Sequence, residues 1–497
     1  MNNNTLPLPL YRAKQVRELD RIAIEDLGIP GICLMERAGS AAFNRFKSCW
    51  PQARRLAILC GTGNNGGDGY VLARLAYLAG YEVTVLQIGE TSRLTGEARI
   101  AFEAMTRVGL QTQAFAETQL SFADVVVDAL LGTGLDREVS GKWREVIEAI
   151  NRCRCPLFSL DIPSGLHADT GAVLGVAVRA DITISFIGLK PGLFTGKGPD
   201  YCGQVYFDDL QVPSTLYQSV TTHVTRLDYE HLKTALPKRS RIAHKGSFGH
   251  VLVIGGESGM IGASRLAAEA AARVGAGKVS LATRSSHAAL VNLTRPEIMS
   301  YGVETSEELQ PLLNQVDVVA IGPGFGQATW AQTLLAAVKT LKKPLVIDAD
   351  ALNLLAKQPF RPFDSVLTPH PGEASRLLEM STAEIQADRF AAVTLLQQRF
   401  GGVCVLKGAG TLVANPGEQI NLCTEGNPGM ACGGMGDVLT GVIAGLLAQG
   451  LSTTEAANLG VCLHGKAGDR AAQDGGERGL LPSDLLPWLR YYANPGR

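Results

Sequence analysis

Oxygen-bearing side chains stand shortly after three apolar segments in the first half of the chain. These side chains are Asn65, Asp128, Asp161 and Ser164. If the apolar segments are parallel strands, the side chains converge on one crevice, because the carboxyl ends of such strands meet at one edge of a sheet. Oxygens of this kind suit a hard cation, and a second carboxylate nearby can act as an acid or a base. Asp128 or Asp161 alone could equally cap a following helix, so only the three segments together favour a site.

The first of these segments leads into a glycine-rich run at 61–69, Gly-Thr-Gly-Asn-Asn-Gly-Gly-Asp-Gly. Glycine turns between a strand and a helix let backbone amides and the helix N-terminus face an anion. The spacing of a dinucleotide-binding G-x-G-x-x-G motif is met at Gly61, Gly63 and Gly66. Asp68 and the paired asparagines are polar groups that such a motif does not need. The run favours phosphate binding and leaves a purely structural turn as the alternative.

A second glycine-rich run, Asn-Pro-Gly-Met-Ala-Cys-Gly-Gly-Met-Gly-Asp at 427–437, precedes an apolar stretch that begins at Val438. Its backbone amides, with the positive end of the following helix, could stabilise a phosphoryl group during transfer. Asp437 would lie in the first turn of that helix, where its carboxylate could take a proton from a hydroxyl that attacks phosphorus. The alternative is that Asp437 only caps the helix.

Helical and apolar segments alternate through the first half in the order typical of βαβ units. A helix is predicted for 12–27, because its apolar positions recur at helical spacing before Gly28 and Pro30. A second helix is predicted for 70–79. Strands are predicted at 56–60, 82–88, 124–129, 157–160 and 182–186. Short apolar runs with charged or glycine-bearing ends are typical of buried parallel strands, so a doubly wound α/β domain is expected.

The second half shows the same α/β pattern but repeats no motif at a fixed offset, so a recent tandem duplication is not indicated. Its predicted elements are helices at 264–273 and 438–447 and strands at 250–254, 278–281, 317–321, 344–347, 365–367 and 403–406. Between the halves, residues 211–241 contain Pro213, a basic cluster and no long apolar strand. We therefore predict domains at 1–218 and 241–497, joined by a linker at 219–240.

Composition excludes several classes of protein. The 497 residues include 46 Lys or Arg and 47 Asp or Glu with no long block of one sign, which argues against a nucleic-acid partner. No apolar run approaches the ~18 residues of a membrane helix. The first residues carry no basic group and are interrupted by Pro7 and Pro9, so a secretory signal is not expected. The ten cysteines are scattered along the chain, so neither a disulfide framework nor a zinc site is expected. We expect a cytoplasmic protein with small-molecule partners and no membrane partner; a homo-oligomer is left open.

The first half resembles the NAD(P)H-hydrate epimerase family over residues 10–215. The resemblance rests on three ordered motifs: Gly-Asn-Asn-Gly-Gly-Asp-Gly, Asp128 with Leu-Leu-Gly-Thr-Gly, and Asp161-Ile-Pro-Ser-Gly. It implies a Rossmann-like three-layer sandwich, a potassium (K⁺) site at Asn65, Asp128 and Ser164, and a catalytic Asp161 against the hydrated ring. The residues implied to hold the substrate are Asn64, Asn65, Gly66, Gly67, Asp68, Gly132, Thr133, Gly134, Leu135, Asp136, Arg137, Glu138 and Asp161.

The second half resembles the ADP-dependent NAD(P)H-hydrate dehydratases, a branch of the ribokinase-like kinases, from about residue 240 to 490. Gly-Gly-Met-Gly-Asp, ending at Asp437, is similar to their anion-hole and catalytic-base motif. Further similar segments lie at 245–250, 322–326, 348–353, 368–373 and 407–411. The resemblance implies a ribokinase-like three-layer sandwich with Asp437 as base. It also implies hydrate contacts from Ala263, Gly324, His370 and Asp437 and adenine-nucleotide contacts from Lys407, Gly408, Ala409, Gly410, Thr411 and Gly436.

The roles of two positions, His370 and Met435, are left open by the sequence. A single histidine such as His370 is more often a surface or core residue than a ligand contact. Met435 stands where many members of this family have Thr. No role of that hydroxyl transfers to this chain, whereas the backbone amides of the motif are unaffected by the change.

The implied reaction repairs a damaged coenzyme. Hydrated NADH carries a hydroxyl on C6 beside ring N1, and hydroxide is a poor leaving group near neutral pH. Asp437 would deprotonate this hydroxyl, ADP would donate its β-phosphoryl group, and N1 would expel phosphate before a C5 proton is lost. AMP and phosphate would leave, and Mg²⁺ would screen the diphosphate oxygens. The epimerase would supply the S hydrate, the one epimer whose hydroxyl meets a fixed base.

Two other functions are compatible with the residues. The second half could be a ribokinase-like kinase that releases a stable phosphorylated product, since such an enzyme keeps both Asp437 and the anion hole. The first half could be a nucleotide- or partner-binding module without catalysis. The sequence assigns no arginine to a 2′-phosphate, so it does not rank NADH hydrate against NADPH hydrate.

Overall fold

The short apolar runs of the sequence form two separate sheets, one in each of two units. The computed structural model describes residues 6–495, and for Thr294 the backbone alone. The first unit ends at Val224 and the second begins at Thr225. Helices lie between most of the strands along the chain, as the alternating pattern predicts.

The first unit has a seven-stranded sheet in which every neighbouring pair is parallel. The two-residue strand β1 (Pro9–Leu10) precedes this sheet in the chain and is not part of it. The strands of the sheet are β2 (Arg55–Cys60), β3 (Glu82–Gln87), β4 (Thr112–Ala114), β5 (Val125–Ala129), β6 (Leu157–Leu160), β7 (Ile182–Phe186) and β8 (Gln204–Asp208). Its helices are α1 (Ala13–Arg21), α2 (Gly31–Cys49), α3 (Asn64–Leu78), α4 (Gly96–Arg107), α5 (Gly141–Arg152) and α6 (Gly198–Cys202). The sheet order is β4-β3-β2-β5-β6-β7-β8.

Alternate residues of β2 point to opposite faces of this sheet. Leu56, Ile58 and Cys60 belong to one apolar core, whereas Ala57 and Leu59 belong to another. Both faces of the sheet are therefore covered, as an all-parallel sheet requires. This is the doubly wound arrangement that the sequence predicts.

The glycine-rich run after β2 differs from its prediction. The sequence predicts a turn followed by a helix at 70–79, but α3 already begins at Asn64. Gly66 allows this early start, because a Cβ there would lie only 2.3 Å from the carbonyl oxygen of Gly61. From Asn64 onward the run is therefore the start of a helix, and the backbone amides there belong to the helix N-terminus.

The second unit has a larger mixed sheet. Its strands are β9 (Val224–Arg226, at the unit boundary), β10 (His250–Ile254), β11 (Lys278–Thr283), β12 (Met299–Gly302), β13 (Val318–Ile321), β14 (Pro344–Ile347), β15 (Asp364–Leu367), β16 (Val403–Leu406), β17 (Thr411–Ala414) and β18 (Ile420–Cys423). Its helices are α7 (Tyr229–Leu232), α8 (Ile261–Val274), α9 (Ser285–Thr294), α10 (Ser306–Gln315), α11 (Thr329–Val338), α12 (Ala349–Lys357), α13 (Pro371–Leu378), α14 (Thr382–Ala387), α15 (Arg389–Phe400), α16 (Met435–Ala448), α17 (Thr453–Gly475) and α18 (Pro482–Tyr492).

Strands β10 to β18 lie in the order β12-β11-β10-β13-β14-β15-β16-β17-β18. Neighbouring strands from β12 to β16 are parallel, whereas β17 and β18 are antiparallel additions that the sequence analysis did not predict. The segment predicted as a linker, 219–240, contains β9 and α7. Leu227 and Tyr229 of this segment are buried in the apolar core of the second unit.

Two further observations concern the whole of residues 6–495. Over this range, no helix combines the length and the apolar character needed to cross a bilayer. The ten cysteines of the chain all lie within the same range, and each of them is a free thiol.

Candidate active sites

A cavity of about 820 Å³ lies at the carboxyl edge of the first sheet. Residues that follow β2, β5, β6 and β7 line it, which is where open parallel sheets bind ligands. The predicted substrate residues in its lining are Asn64, Asn65, Asp68, Gly132, Thr133, Gly134, Leu135, Asp136, Arg137, Glu138 and Asp161. Gly66 and Gly67 are buried behind this lining, where they allow the close packing of α3.

Asp128 and Ser164 form a buried hydrogen-bonded pair behind the cavity. Ser164 donates from Oγ to Asp128 Oδ1 over 2.5 Å and from its backbone N to Oδ2 over 2.8 Å. Ser159 Oγ also donates to Oδ2, over 2.9 Å. Burial raises the pKa of Asp128, and the hydrogen bonds from Ser164 and Ser159 oppose that rise. The helix-cap alternative for Asp128 is wrong, because the next helix begins only at Gly141.

Asn65 lies in the first turn of α3, and its side chain is buried. Its Nδ2 donates to the carbonyl oxygen of Leu131 over 3.1 Å, whereas its Oδ1 has no hydrogen-bond partner among the described residues. The backbone N of Leu131 donates to Ser164 Oγ over 2.8 Å, so Asn65 and Ser164 contact the same residue. A buried amide oxygen without a donor is costly. This oxygen is therefore open to a ligand beside the Asp128–Ser164 pair.

Asp161 directly follows β6 with a left-handed backbone, φ 64°. Its Oδ1 forms an ion pair with Lys190 Nζ. The same ammonium donates to Ser185 Oγ over 3.0 Å and to the carbonyl oxygen of Phe186 over 3.1 Å. Lys190 is fully buried and Asp161 is 16% exposed, so the pair presents a carboxylate to the cavity. Asp161 caps no helix either, since the segment after it is not helical before Pro191.

The sequence analysis missed two charged residues of this site, Lys190 and Asp20. Lys190 follows β7, and the strand-end rule that selects Asp161 would also select it. Asp20 lies on α1 between Val16 and Ile24, and all three side chains line the cavity. The sequence did contain a signal for Asp20, because it lies four residues after Val16 and four before Ile24. This is the spacing of side chains on one face of a helix.

Asp437 occupies the first turn of α16 in the second unit, as predicted. Gly434 precedes the helix with φ 98°, a conformation that favours glycine. Burial raises the pKa of Asp437 to about 7, and the nearby carboxylates of Asp348 and Glu373 add to the rise while Lys407 opposes it. A carboxyl group with such a pKa can accept a proton near neutral pH.

Lys407 and Asp348 form a second buried ion pair beside Asp437. Lys407 Nζ lies 2.6 Å from Asp348 Oδ1 and 3.9 Å from Glu373 Oε2, and Thr440 Oγ1 donates to Asp348 Oδ2 over 2.8 Å. Burial raises the pKa of Asp348, but Lys407 outweighs it and holds the pKa below its usual range. Asp348 is 1% exposed and Lys407 is 18% exposed, so this pair presents an ammonium to the site.

The loop from Lys407 to Thr411 joins β16 to β17, and a buried arginine donates hydrogen bonds to its backbone. Arg389, which is 1% exposed, donates to the carbonyl oxygens of Leu406, Lys407 and Gly410 over 3.1, 3.3 and 3.4 Å. Within the loop, Thr411 Oγ1 donates to the carbonyl oxygen of Gly408 over 2.9 Å. Sequence reasoning selected the loop but missed Arg389, because nothing near Arg389 in the sequence marks it.

Gly436 and His370 both lie close to the Lys407 pair. A Cβ at Gly436 would lie 3.0 Å from Lys407 Nζ and 3.5 Å from Asp348 Oδ2. His370 precedes α13, accepts a hydrogen bond at Nδ1 from the backbone N of Gly372 over 2.9 Å, and places Nε2 3.4 Å from Glu373 Oε1. Its side chain is 51% exposed, and burial lowers its pKa below the usual value. His370 is therefore a helix cap whose outer ring nitrogen is within reach of solvent or substrate.

Ala263 and Gly324 are neighbours at the same edge of the sheet. A Cβ at Gly324 would lie 3.1 Å from the Ala263 Cβ, and Gly324 has φ 57°. Gly322, in the same turn, abuts the carbonyl oxygen of Asp348, since a Cβ there would lie 1.8 Å from that oxygen. The structure thus brings the turn after β13, the start of α8 and Asp348 together.

Across the described part of the chain, no group of three or more His, Cys, Asp or Glu side chains is placed to hold a metal ion. Mg²⁺ in phosphoryl-transfer sites is commonly held by one or two carboxylates together with phosphate oxygens and water. The side chains of the second unit are therefore compatible with a metal that arrives with its nucleotide.

Comparisons with known proteins agree along the whole chain. The family NAD(P)H-hydrate dehydratase matches residues 251–489, and the family YjeF-related protein N-terminus matches residues 31–192. The bifunctional NAD(P)H-hydrate repair enzyme Nnr of Coxiella burnetii is 50% identical over 486 residues, 98% of this chain and 99% of that protein. The enzyme of the same name from Escherichia coli K12 is 45% identical over 494 residues, 99% of this chain and 96% of that protein.

The fold of the second unit has a solved counterpart. A ribokinase-like superfamily protein from Enterococcus faecalis V583 is 32% identical, with a TM-score of 0.50, and the match covers 55% of this chain and 96% of that chain. The predicted pair of α/β domains, Rossmann-like and then ribokinase-like, is thereby confirmed.

Two α/β units, each with acid–base groups at the carboxyl edge of its sheet, define a two-site enzyme of small-molecule metabolism. The chain belongs to the family of bifunctional NAD(P)H-hydrate repair enzymes. The predicted function, repair by an epimerase and an ADP-dependent dehydratase, is confirmed, and the two alternatives considered above, a kinase and a binding module, are not supported.

Proposed function

We propose that the cavity of the first unit binds hydrated NADH or NADPH through Asn64–Asp68 and Gly132–Glu138, and that Asp161 acts on the hydrated ring. The supporting observation is that both segments and Asp161 line one cavity of about 820 Å³, within the ~300–1,000 Å³ typical of small-molecule sites. Lys190 holds one Asp161 oxygen, which leaves the other for substrate. The reaction is interconversion of the R and S hydrates at C6.

We also propose that Asn65, Asp128 and Ser164 hold a potassium ion. The supporting observation is the Asn65 Oδ1 atom, which is buried without a donor beside two further oxygen side chains. Oxygen atoms suit a hard cation, which would supply positive charge next to the cavity. The melting temperature of the full chain should rise in KCl relative to choline chloride. Asn65→Leu should abolish this difference, and a rise that survives the substitution would contradict the assignment.

In the second unit we propose that Asp437 is the general base of phosphoryl transfer from ADP to the C6 hydroxyl of the S hydrate. A pKa of about 7 lets the carboxylate accept that proton near neutral pH. The backbone amides at the start of α16 are placed to stabilise the transferred group. The N1 lone pair then expels phosphate, and loss of a C5 proton restores NADH while AMP is released.

We propose that the nucleotide is bound by Lys407–Thr411 and Gly436, and that Ala263, Gly324 and His370 contact the hydrate. Lys407 supports this assignment, because its ammonium is the exposed member of a buried ion pair and suits a phosphate oxygen. Mg²⁺ would reach the site with the diphosphate and screen its charge.

The decisive experiment uses the full chain with S-hydrated NADH, Mg²⁺ and ADP, and follows the absorbance of reduced nicotinamide. We expect NADH, AMP and phosphate in equal amounts. Omission of ADP should stop the reaction. A stable phosphorylated hydrate in place of NADH would contradict the proposal.

We propose further that the functional domains are 1–218 and 241–497 with a linker at 219–240, and that the protein acts in the cytoplasm on small molecules. The free thiols of all ten cysteines support a reducing compartment. Separate expression of 1–218 and 219–497 tests the domains, with the linker kept on the second piece because Leu227 and Tyr229 pack in its core: each piece should retain its own activity. Fractionation of the source cells tests the compartment.

A further inference from the structure

Helix α1 carries a carboxyl group into the cavity of the first unit, and no role above uses it. Asp20 lines the cavity together with Val16 of the same helix and Ile24, which lies just after the end of this helix. Within residues 6–495 we find no hydrogen bond or ion pair to its carboxyl oxygens. Asp20 is half-buried in this wall, so its carboxyl group is available to a ligand in the cavity.

Three carboxyl groups share one ammonium at this place. Asp20, Asp68 and Asp161 act on one another, and Lys190 is the cation that acts on Asp20 and Asp68 and pairs with Asp161. Burial raises the pKa of Asp20 to about 6, with Lys190 opposing and Asp161 adding to the rise. Burial also raises the pKa of Asp68 well above its usual value. Asp20 and Asp68 therefore hold a proton more readily than an isolated aspartate does, which suits a general acid.

The two groups reach the cavity from different elements. Asp161 stands at the carboxyl end of β6, whereas Asp20 stands on α1, ahead of the first strand of this sheet. Epimerisation at one carbon needs a proton delivered as a group leaves and a proton removed as a group returns on the other face. Carboxyl groups from separate walls of one cavity can meet this need.

We propose that Asp20 is the second acid–base residue of the epimerase: it protonates the C6 hydroxyl of one hydrate epimer, and Asp161 deprotonates the water that adds from the other face. The inference rests on the epimerase site proposed above and names the group that works opposite Asp161.

The step balances with water as the only co-reactant. The C6–O bond breaks as the hydroxyl takes the Asp20 proton and leaves as water, while the N1 lone pair forms an N1–C6 double bond. A water molecule then adds to the other face of C6, the double-bond electrons return to N1, and the extra proton passes to Asp161. In the reverse direction Asp161 donates and Asp20 accepts, so the two groups exchange roles between epimers.

The test uses the full chain, S-hydrated NADH and no ADP, with the R and S hydrates separated by chromatography. Asp20→Asn should lower kcat by about 10²–10³-fold with little change in KM, a loss typical of a removed general acid. Glu18→Gln is the matched control, because Glu18 lies on the same helix and pairs with Arg21 at the surface. The calorimetric transition of the first unit reports whether the unit that carries Asp20 is folded.

Two further readouts separate a catalytic role from a structural one. The kcat of the unmodified protein should fall as pH rises above about 6, because the protonated fraction of Asp20 declines; Asp68, Asp161, Lys190 and Arg17 of α1 are the charged groups around it. Asp20→Glu should keep a measurable rate, and the pH at which its kcat begins to fall should be shifted. In H₂¹⁸O, each epimerisation should place one solvent oxygen on C6.

An Asp20→Asn variant that epimerises within threefold of the unmodified protein would overturn the inference, as would epimerisation without solvent oxygen. If Asp20→Asn does not fold, Asp20→Glu decides: a pH profile identical to that of the unmodified protein would overturn the inference. Failure of the unmodified protein to interconvert the hydrates at all would instead overturn the epimerase site itself.

Discussion

The two sites of this chain use the same ion pair in opposite orientations. In the first unit the lysine of the Lys190–Asp161 pair is fully buried and the aspartate is 16% exposed. In the second unit the aspartate of the Lys407–Asp348 pair is 1% exposed and the lysine is 18% exposed. One site is therefore offered a carboxylate and the other an ammonium.

This difference matches the chemistry of the two reactions. Epimerisation at C6 moves protons to and from the leaving and entering oxygen atoms, so a fixed carboxylate is the useful member of the pair. Phosphoryl transfer accumulates negative charge on phosphate oxygens, so the ammonium is the useful member, and a separate carboxyl, Asp437, serves as base. A buried Lys–Asp pair thus holds one charged group in place at a site. The site receives negative charge where the aspartate is exposed and positive charge where the lysine is exposed.

The strongest way to break the comparison is to remove the separate base. Asp437→Asn keeps the shape but not the basicity, so kcat of the dehydratase should fall by about 10³–10⁴-fold. Absorbance of reduced nicotinamide measures this rate, and chromatography of the hydrates should show unchanged epimerisation. Asp474→Asn, an exposed carboxylate of the same unit paired with Arg470, is the control. A rate within tenfold of the unmodified protein would assign the base elsewhere.

Removal of each lysine tests whether the pairs are equivalent in stability. Lys407→Met leaves the buried Asp348 without a counter-charge and should cost about 3–5 kcal/mol. Lys190→Met should cost less, because Asp161 reaches the cavity. Calorimetry with separate transitions for the two units measures both costs. Lys407→Met combined with Asp348→Asn should restore most of the loss; if the double variant is no more stable than the single one, the cost lies in packing.

The raised pKa of Asp437 predicts a pH dependence for the second site. The base must be ionised, and with a pKa of about 7 the dehydratase rate should fall about tenfold per pH unit below pH 7. Because folding raises this pKa, the ionised group destabilises the protein above that pH, so Asp437→Asn should raise the melting temperature more at pH 8 than at pH 5. A rate independent of pH between 5 and 8 would contradict this assignment.

The smallest expected effect concerns space beside Lys407. Gly436→Ala would place a methyl group 3.0 Å from Lys407 Nζ, and we expect KM for ADP to rise by a few-fold. Gly475→Ala, at the exposed end of α17, is the matched control, because a Cβ there has no neighbour within 4 Å. Equal KM values for the two variants would show that Gly436 does not border the nucleotide. Steady-state kinetics with ADP as the varied substrate makes this measurement.

The elements and site residues that could be predicted were those marked by residues close together in the sequence. Short apolar runs marked the longer strands of both sheets but not β4, β8 or β12. Strand ends marked Asp161, which lines the first cavity, and the Asp128–Ser164 pair behind it. The early start of α3 was missed, because a glycine-rich run reads as a turn until Gly66 is seen to pack against Gly61. The strands β17 and β18 were missed because they are short and follow no helix.

The sequence by itself determined the alternation of strands and helices in each half, the glycine runs near two helix starts and the carboxylates beside them, since each depends on residues a few positions apart. Only the tertiary structure decided that Lys190 pairs with Asp161, that Lys407 pairs with Asp348, and that Asp20 faces the first cavity. Burial and distance between residues far apart in the chain decide the charge state of a carboxyl group, and neither is written in local sequence.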